Sequence, residues 1–204
     1  MKKLLDILSG IISTVFHPLL IPTWAFIILG NTGFYFSVLP WSVKKSMFLV
    51  VFLSTCVLPA LSAGILSLNP KLKSREWKST DRILPLLLSA IFYYLGYIML
   101  EKMPLFPVFN LFLIAAVLVQ ITLIVSSLKW NISVHMAAIG ALIGGFIAIS
   151  SRLHENPLLV LSMLVLVAGL MATSRLILQK NNNAEVYSGF MIGFLILNLV
   201  VTFI

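Results

Sequence analysis

Acidic residues and cysteine are both scarce in this chain. Aspartate and glutamate together number six, and none lies near the middle of an apolar run, which disfavours a transporter working through a carboxylate inside the membrane. The single cysteine, Cys56, has no intramolecular disulfide partner and reads as a small side chain packed within an apolar run. Charged residues make up 10% of the 204, against about 25% in an ordinary soluble domain, and no polar tract is long enough to form such a domain. No basic helix or stripe gathers the net charge of +8, which excludes nucleic acid as a partner and favours lipid headgroups or phosphorylated lipids. There is no low-complexity segment and no internal repeat of the transporter kind. No metal ion or cofactor is expected.

What the chain has instead is apolar sequence: 60% of its residues, with a mean hydropathy of +1.09. Runs long enough to cross a hydrocarbon core of about 30 Å recur from end to end. They predict an all-α polytopic bundle of six to seven transmembrane helices, read as one membrane-embedded domain over residues 1–204. Met1-Lys2-Lys3 ahead of an apolar stretch has the look of a secretory signal, but no small-residue cleavage site follows, so retention as an anchor is expected. Lys3–Phe16, interrupted by His17-Pro18 and Pro22, predicts a short interfacial helix leading into a span near Leu19–Phe36. Further spans are expected at Ser46–Leu68, Ile83–Leu100, Phe106–Leu128, Ser133–Ile149, Leu158–Leu178 and Val186–Ile204. Small residues spaced by four, Ala137/Ala141/Gly145, Gly140/Gly144 and Gly189/Gly193, would let helix backbones approach closely in lipid.

Alternating crossings put the N-terminal segment, the Lys71–Arg82 loop, the Lys129–His135 turn and the Arg175–Glu185 turn on one side. Ten cations share that side: Lys2, Lys3, Lys71, Lys73, Arg75, Lys78, Arg82, Lys129, Arg175 and Lys180. Four lie opposite, namely Lys44, Lys45, Lys102 and Arg152. The positive-inside rule then favours a cytoplasmic position for that side, unless some of the cations are there to bind an anion.

Several residues on this face could carry chemistry, and each also has an ordinary reading. Ser133 and His135 open a helix whose unpaired N–H groups and dipole favour an anion. Ser133 could equally be a plain N-cap, and His135 a water-satisfied interfacial histidine or a proton donor. Ser174-Arg175 closes one helix and Glu185 begins the next, so a tight turn would bring guanidinium and carboxylate together, although a snorkelling arginine is the commoner case. Arg75 and Arg82 sit in a loop where charge is usually just solvated, yet their planar forks suit phosphate.

The spacing of these residues resembles the type 2 phosphatidic acid phosphatase superfamily of membrane lipid phosphatases. That family carries Lys, six residues, Arg-Pro; then Pro-Ser-Gly-His; then Ser-Arg, five residues, His, three residues, Asp. Here Ser174-Arg175, five residues, Asn181, three residues, Glu185 keeps the last spacing. Asn131-Ile132-Ser133-Val134-His135 is similar to the second motif, and Arg75, six residues, Arg82 is similar to the first, with Arg for Lys and no proline beside it. Phe16-His17-Pro18 and Ala184-Glu185-Val186-Tyr187-Ser188-Gly189-Phe190 resemble segments of small bacterial members, which implies a bacterial inner membrane. The resemblance implies that Arg75, Arg82, Ser133 and Arg175 bind phosphate, that His135 is the general acid and that Glu185 is the orienting acid. The family's nucleophilic histidine corresponds to Asn181, and an amide has no lone pair suited to attack phosphorus, so the usual phosphohistidine route is closed.

The expectation is therefore a protein that binds a phosphorylated lipid, a phospholipid or a polyprenyl phosphate, with little or no turnover by that route. Two alternatives stand beside it: an accessory subunit whose glycine faces pack against partner helices, and an active lipid phosphatase with another nucleophile. His17 is on the same face and could serve as that nucleophile, although its place beside Pro18 reads more simply as a polar residue at a helix break. His154 falls on the opposite face.

Overall fold

The computed structural model describes residues 2–31, 39–68, 83–103, 107–154 and 156–204, and among the described residues there are helices and no strands. In chain order the helices are α1 (Lys2–Val15), α2 (Ile21–Asn31), α3 (Trp41–Ser67), α4 (Ile83–Glu101), α5 (Pro107–Ser127), α6 (Val134–Leu153), α7 (Leu158–Ile177) and α8 (Asn183–Phe203). Six of them, α3 to α8, are long and apolar enough to cross a bilayer. The protein is an all-α polytopic membrane protein. Inside hydrocarbon every backbone polar group must be satisfied by the segment itself, and helices do this without neighbours. α2 has 11 residues, which at about 1.5 Å each is too short to cross alone. The expected Leu19–Phe36 span is thus represented by Ile21–Asn31, with residues 32–36 outside those described.

The chain separates into two compact units. One consists of Pro22–Trp130 and contains α2 to α5. Its helix α3 is regular over Trp41–Phe52, widens to a π turn at Leu53–Val57, and is regular again over Leu58–Ser67. Pro59 accounts for the widening. Proline has no N–H for the carbonyl four residues earlier and its ring crowds that carbonyl, so the turn opens and the Leu58 N–H reaches Leu53 O instead. Ser54 in this turn lies against the backbone of Gly96 on α4, and α4 meets α5 through a Ser89–Gln120 hydrogen bond of 3.0 Å.

The other unit combines the N-terminal residues Met1–Ile21 with Asn131–Ile204, and so contains α1, α6, α7 and α8. α6 and α8 run parallel and share its most extensive interface. Glycines make that closeness possible: Gly140 and Gly144 lie against the carbonyls of Phe190 and Phe194, while Gly189 and Gly193 lie against those of Ser133 and Ala137. Two of the four-residue glycine spacings seen in the sequence are thus paired with each other. Asn198 closes the seam by donating to Gly144 O at 3.1 Å. α7 returns the chain between these two helices and packs on α6 and α1.

Candidate functional site

Four chain segments of the second unit meet at one end: the last turn of α1, the starts of α6 and α8, and the end of α7. Local backbone chemistry sets each in place. α7 stops in a two-bond reversal in which Lys180 N–H donates to Arg175 O at 3.2 Å and Gln179 N–H donates to Leu176 O at 3.0 Å, with Gln179 at φ 51°. Two residues later Asn182 caps α8. Its Oδ1 accepts the Glu185 N–H at 2.8 Å, while Glu185 Oε2 accepts the Asn182 N–H at 3.4 Å, a reciprocal capping box. Ser133 N–H donates to Glu185 O at 3.1 Å, which fixes the start of α6 against the start of α8.

Between these fixed points lies a relay of polar side chains. Arg175 is 8% exposed; its Nε donates to Asn181 Oδ1 at 2.9 Å and its Nη1 to Ser13 Oγ at 3.4 Å. Asn181, also buried, donates from Nδ2 to Glu185 Oε2 at 2.7 Å. Only one orientation of the amide works here. Arginine offers donors alone and an ionised glutamate acceptors alone, so Oδ1 must face Arg175 and Nδ2 must face Glu185. The guanidinium and carboxylate expected near each other are joined through Asn181.

Two imidazoles face this relay. The His17 and His135 rings meet edge to face, with centroids 5.3 Å apart and planes at 82°. A backbone hydrogen bond joins His135 to Ser13, and Arg175 and Lys180 lie within electrostatic reach of it. His17 is exposed at the edge of the cluster, yet desolvation of its ring and, after that, the Arg175 guanidinium hold its imidazole below the usual histidine range. Because the ring is exposed, water screens much of that field.

Ser133 occupies the N-cap position of α6, as its ordinary reading anticipated, but its hydroxyl makes no cap bond. The residue is 1% exposed, and Oγ has no hydrogen-bond partner among the described residues. A buried hydroxyl in that state costs about 1–3 kcal/mol unless a further group reaches it. The start of α6 therefore holds an unmet hydroxyl close to a helix N-terminus and to the buried Arg175, while Glu185 is already engaged by Asn181 and by its own capping box.

Of the residues anticipated from sequence, Ser133, His135, Arg175, Asn181 and Glu185 come to this one end, whereas Arg75 and Arg82 fall outside the described residues. The sequence reading considered His17 only as a stand-in nucleophile and did not single out Ser13. A signal was present: Ser9, Ser13 and His17 continue one side of α1 at spacings of four, and Ser9 is buried although it is polar. Among the described residues no group of three or more His, Cys, Asp or Glu is arranged to hold a metal ion. No protein-family model, curated protein or solved structure matches this chain.

Proposed function

We propose that this membrane protein binds a phosphorylated lipid at the cluster of Ser133, His135, Arg175 and Glu185, and does not turn it over through position 181. The observation that carries the reading is the buried, unpartnered Ser133 hydroxyl at the start of α6, in the cluster that also holds the buried Arg175. A phosphate group accepts from several donors at once and is favoured by the positive end of a helix dipole. The ligand is a phospholipid or polyprenyl phosphate of a bacterial inner membrane, held on the cytoplasmic side. The likeness of Ser174-Arg175 through Glu185 to the third motif of lipid phosphatases supports the same reading. So does the relay, since Asn181 takes the hydrogen bonds a histidine would make to the acid without supplying a nucleophile.

The accessory-subunit alternative drew on glycine faces left for partner helices. Gly140, Gly144, Gly189 and Gly193 are instead occupied within the chain, which removes that support.

Binding of dioctanoyl phosphatidic acid in neutral detergent tests the proposal. A charge-assisted hydrogen bond contributes about 1.5–3 kcal/mol, so Arg175→Ala should weaken binding about tenfold to a hundredfold. Arg175→Lys keeps the charge, is gentler on the fold and should still lose affinity, because the planar fork is gone. Lys44→Ala, in the other unit, should bind as wild type does. Equal lipid retention by wild type, Arg175→Ala and Arg175→Lys would leave the site without a role.

A further inference from the structure

His17 lies outside the three segments that resemble the lipid phosphatase motifs, and the phosphate reading above does not require it. Its surroundings are nonetheless those of a ligand residue. The ring meets His135 edge to face at 5.3 Å and lies in the field of Arg175. Leu19 N–H approaches Nδ1 at 3.4 Å, an approach that requires a lone pair on Nδ1. The proton of the neutral ring therefore sits on Nε2, as a donor not committed to that backbone contact. One turn earlier, Ser13 binds the same segment to the same cluster, through Arg175 Nη1 at 3.4 Å and through its backbone to His135. The N-terminal segment is thus fixed at two successive turns against the residues that would hold phosphate.

We propose that His17 is a phosphate ligand of this site, donating from Nε2 to an oxygen of the bound headgroup, so that the segment following α1 completes the site. The proposal rests on the phosphate reading of the cluster. It also assigns His17 a part unlike the one considered from sequence, since the Nδ1 lone pair that attack on phosphorus would use faces the Leu19 N–H.

Charge gives the proposal a signature that packing would lack. The groups around His17 are His135 from α6 and Arg175 from α7; Lys180, from the following turn, lies within electrostatic reach of His135, and Glu185 from α8 is joined to Arg175 through Asn181. On α1, Asp6 and the lysines lie well back along the helix from Ser13. In the free protein desolvation and Arg175 lower the His17 pKa; a bound phosphate raises it, because an adjacent anion favours the imidazolium. The complex then holds more proton than the free components. Affinity should rise as pH falls through the pKa of the bound state, and level off below the pKa of the free state.

The experiment measures dioctanoyl phosphatidic acid binding at pH 7.5 and pH 5.5 for wild type, His17→Phe, His17→Gln and Arg175→Lys. The lipid's own titration is common to all four proteins and cancels in comparisons among them. His17→Phe should weaken binding about tenfold at pH 5.5, the loss of one charge-assisted hydrogen bond, and by less at pH 7.5. His17→Gln keeps a neutral donor, so it should bind nearly as wild type does at pH 7.5 and lack the added gain at pH 5.5. Binding by His17→Phe equal to wild type at both pH values, with Arg175→Lys weakened, would overturn the role of His17 and leave the phosphate site standing. Absence of binding by wild type would remove the site and this proposal together. If thermal unfolding shows His17→Phe to be misfolded, His17→Gln decides, and a pH dependence equal to that of wild type refutes the proposal.

Discussion

Substitution of Asn181 probes the relay most directly, because its amide links Arg175 to Glu185. Oδ1 accepts from Arg175 Nε at 2.9 Å and Nδ2 donates to Glu185 Oε2 at 2.7 Å. Each bond has a charged partner and contributes about 1.5–3 kcal/mol. Asn181→Ala removes both, but the two ends respond differently. Glu185 is only partly buried, so water can replace the lost donor, whereas Arg175 is 8% exposed and its Nε would be left buried without that acceptor. One charged bond in full and a fraction of the other predicts a loss of about 2–4 kcal/mol. The unfolding equilibrium in mixed micelles, followed by circular dichroism as the denaturing detergent is increased, would measure it.

Asn181→Asp tests the geometry through the sign of its pH dependence. The new carboxylate keeps an acceptor toward Arg175 but turns a second oxygen toward Glu185, at the place where the amide donated. Two carboxylates that close do not both ionise, so one holds a proton and its folded-state pKa rises above the unfolded value of about 4. For an acid with a raised folded pKa, the stabilisation is present at low pH and is lost as pH rises through that pKa. Relative to wild type, the variant should therefore be closer to normal stability at pH 5 than at pH 8. A tenfold weaker acid in the folded state corresponds to about 1.4 kcal/mol in total, of which about 0.4 kcal/mol is lost above pH 5. Asn181→His would keep a donor toward Glu185 and add a nucleophilic lone pair. Phosphate release from phosphatidic acid by that variant, absent in wild type, is the expected gain. Wild-type stability of Asn181→Asp at both pH values would show that position 181 does not face Glu185, and the relay would be wrong.

Two further outcomes follow from the helices around the site. Gly193→Ala would drive a methyl group into the Ala137 carbonyl and should destabilise by about 1–3 kcal/mol, while Gly169→Ala, with nothing within 4 Å, should be neutral or stabilise by up to about 1 kcal/mol in the same detergent titration. Equal effects would refute the backbone contact between α6 and α8. In a Cys56→Ala background, Asn131→Cys and Asn183→Cys should be labelled by an impermeant thiol reagent from one side of the membrane and Asn156→Cys from the other. Labelling of positions 131 and 183 from opposite sides would separate the elements that form the site.

The spans were legible because a membrane helix answers to few rules. Ile83–Glu101 and Leu158–Ile177 fall within a residue of the boundaries expected from apolar length. Where a local cap intervened, apolar length misled. The last helix begins at Asn183 instead of Val186, because Asn182 and Glu185 form a capping box that draws the preceding polar stretch into the first turn. Asn-x-x-Glu was present in the sequence as a start signal, but within so polar a stretch it read as a turn. The π turn of α3 was hidden for a related reason: Pro59 lies inside an apolar run whose length alone suffices for a span.

The site was legible only where spacing along one segment fixes it. Arg175, Asn181 and Glu185 lie within a single reversal, so a motif spacing could bring them together before any fold was known. What spacing could not show is why Asn181 lies beneath Arg175. That depends on Gln179 taking a left-handed conformation, which such a side chain adopts at a cost of roughly 1–2 kcal/mol and which no periodicity announces. His17 was harder still, because its contact with His135 depends on how α1 packs against α7. Apolar patterning says that α1 has a polar side; it does not say what that side meets. Ser9, Ser13 and His17 acquire meaning only once the neighbouring helix is known to end in a buried arginine, since a polar side turned away from lipid needs polar partners and Arg175 supplies them.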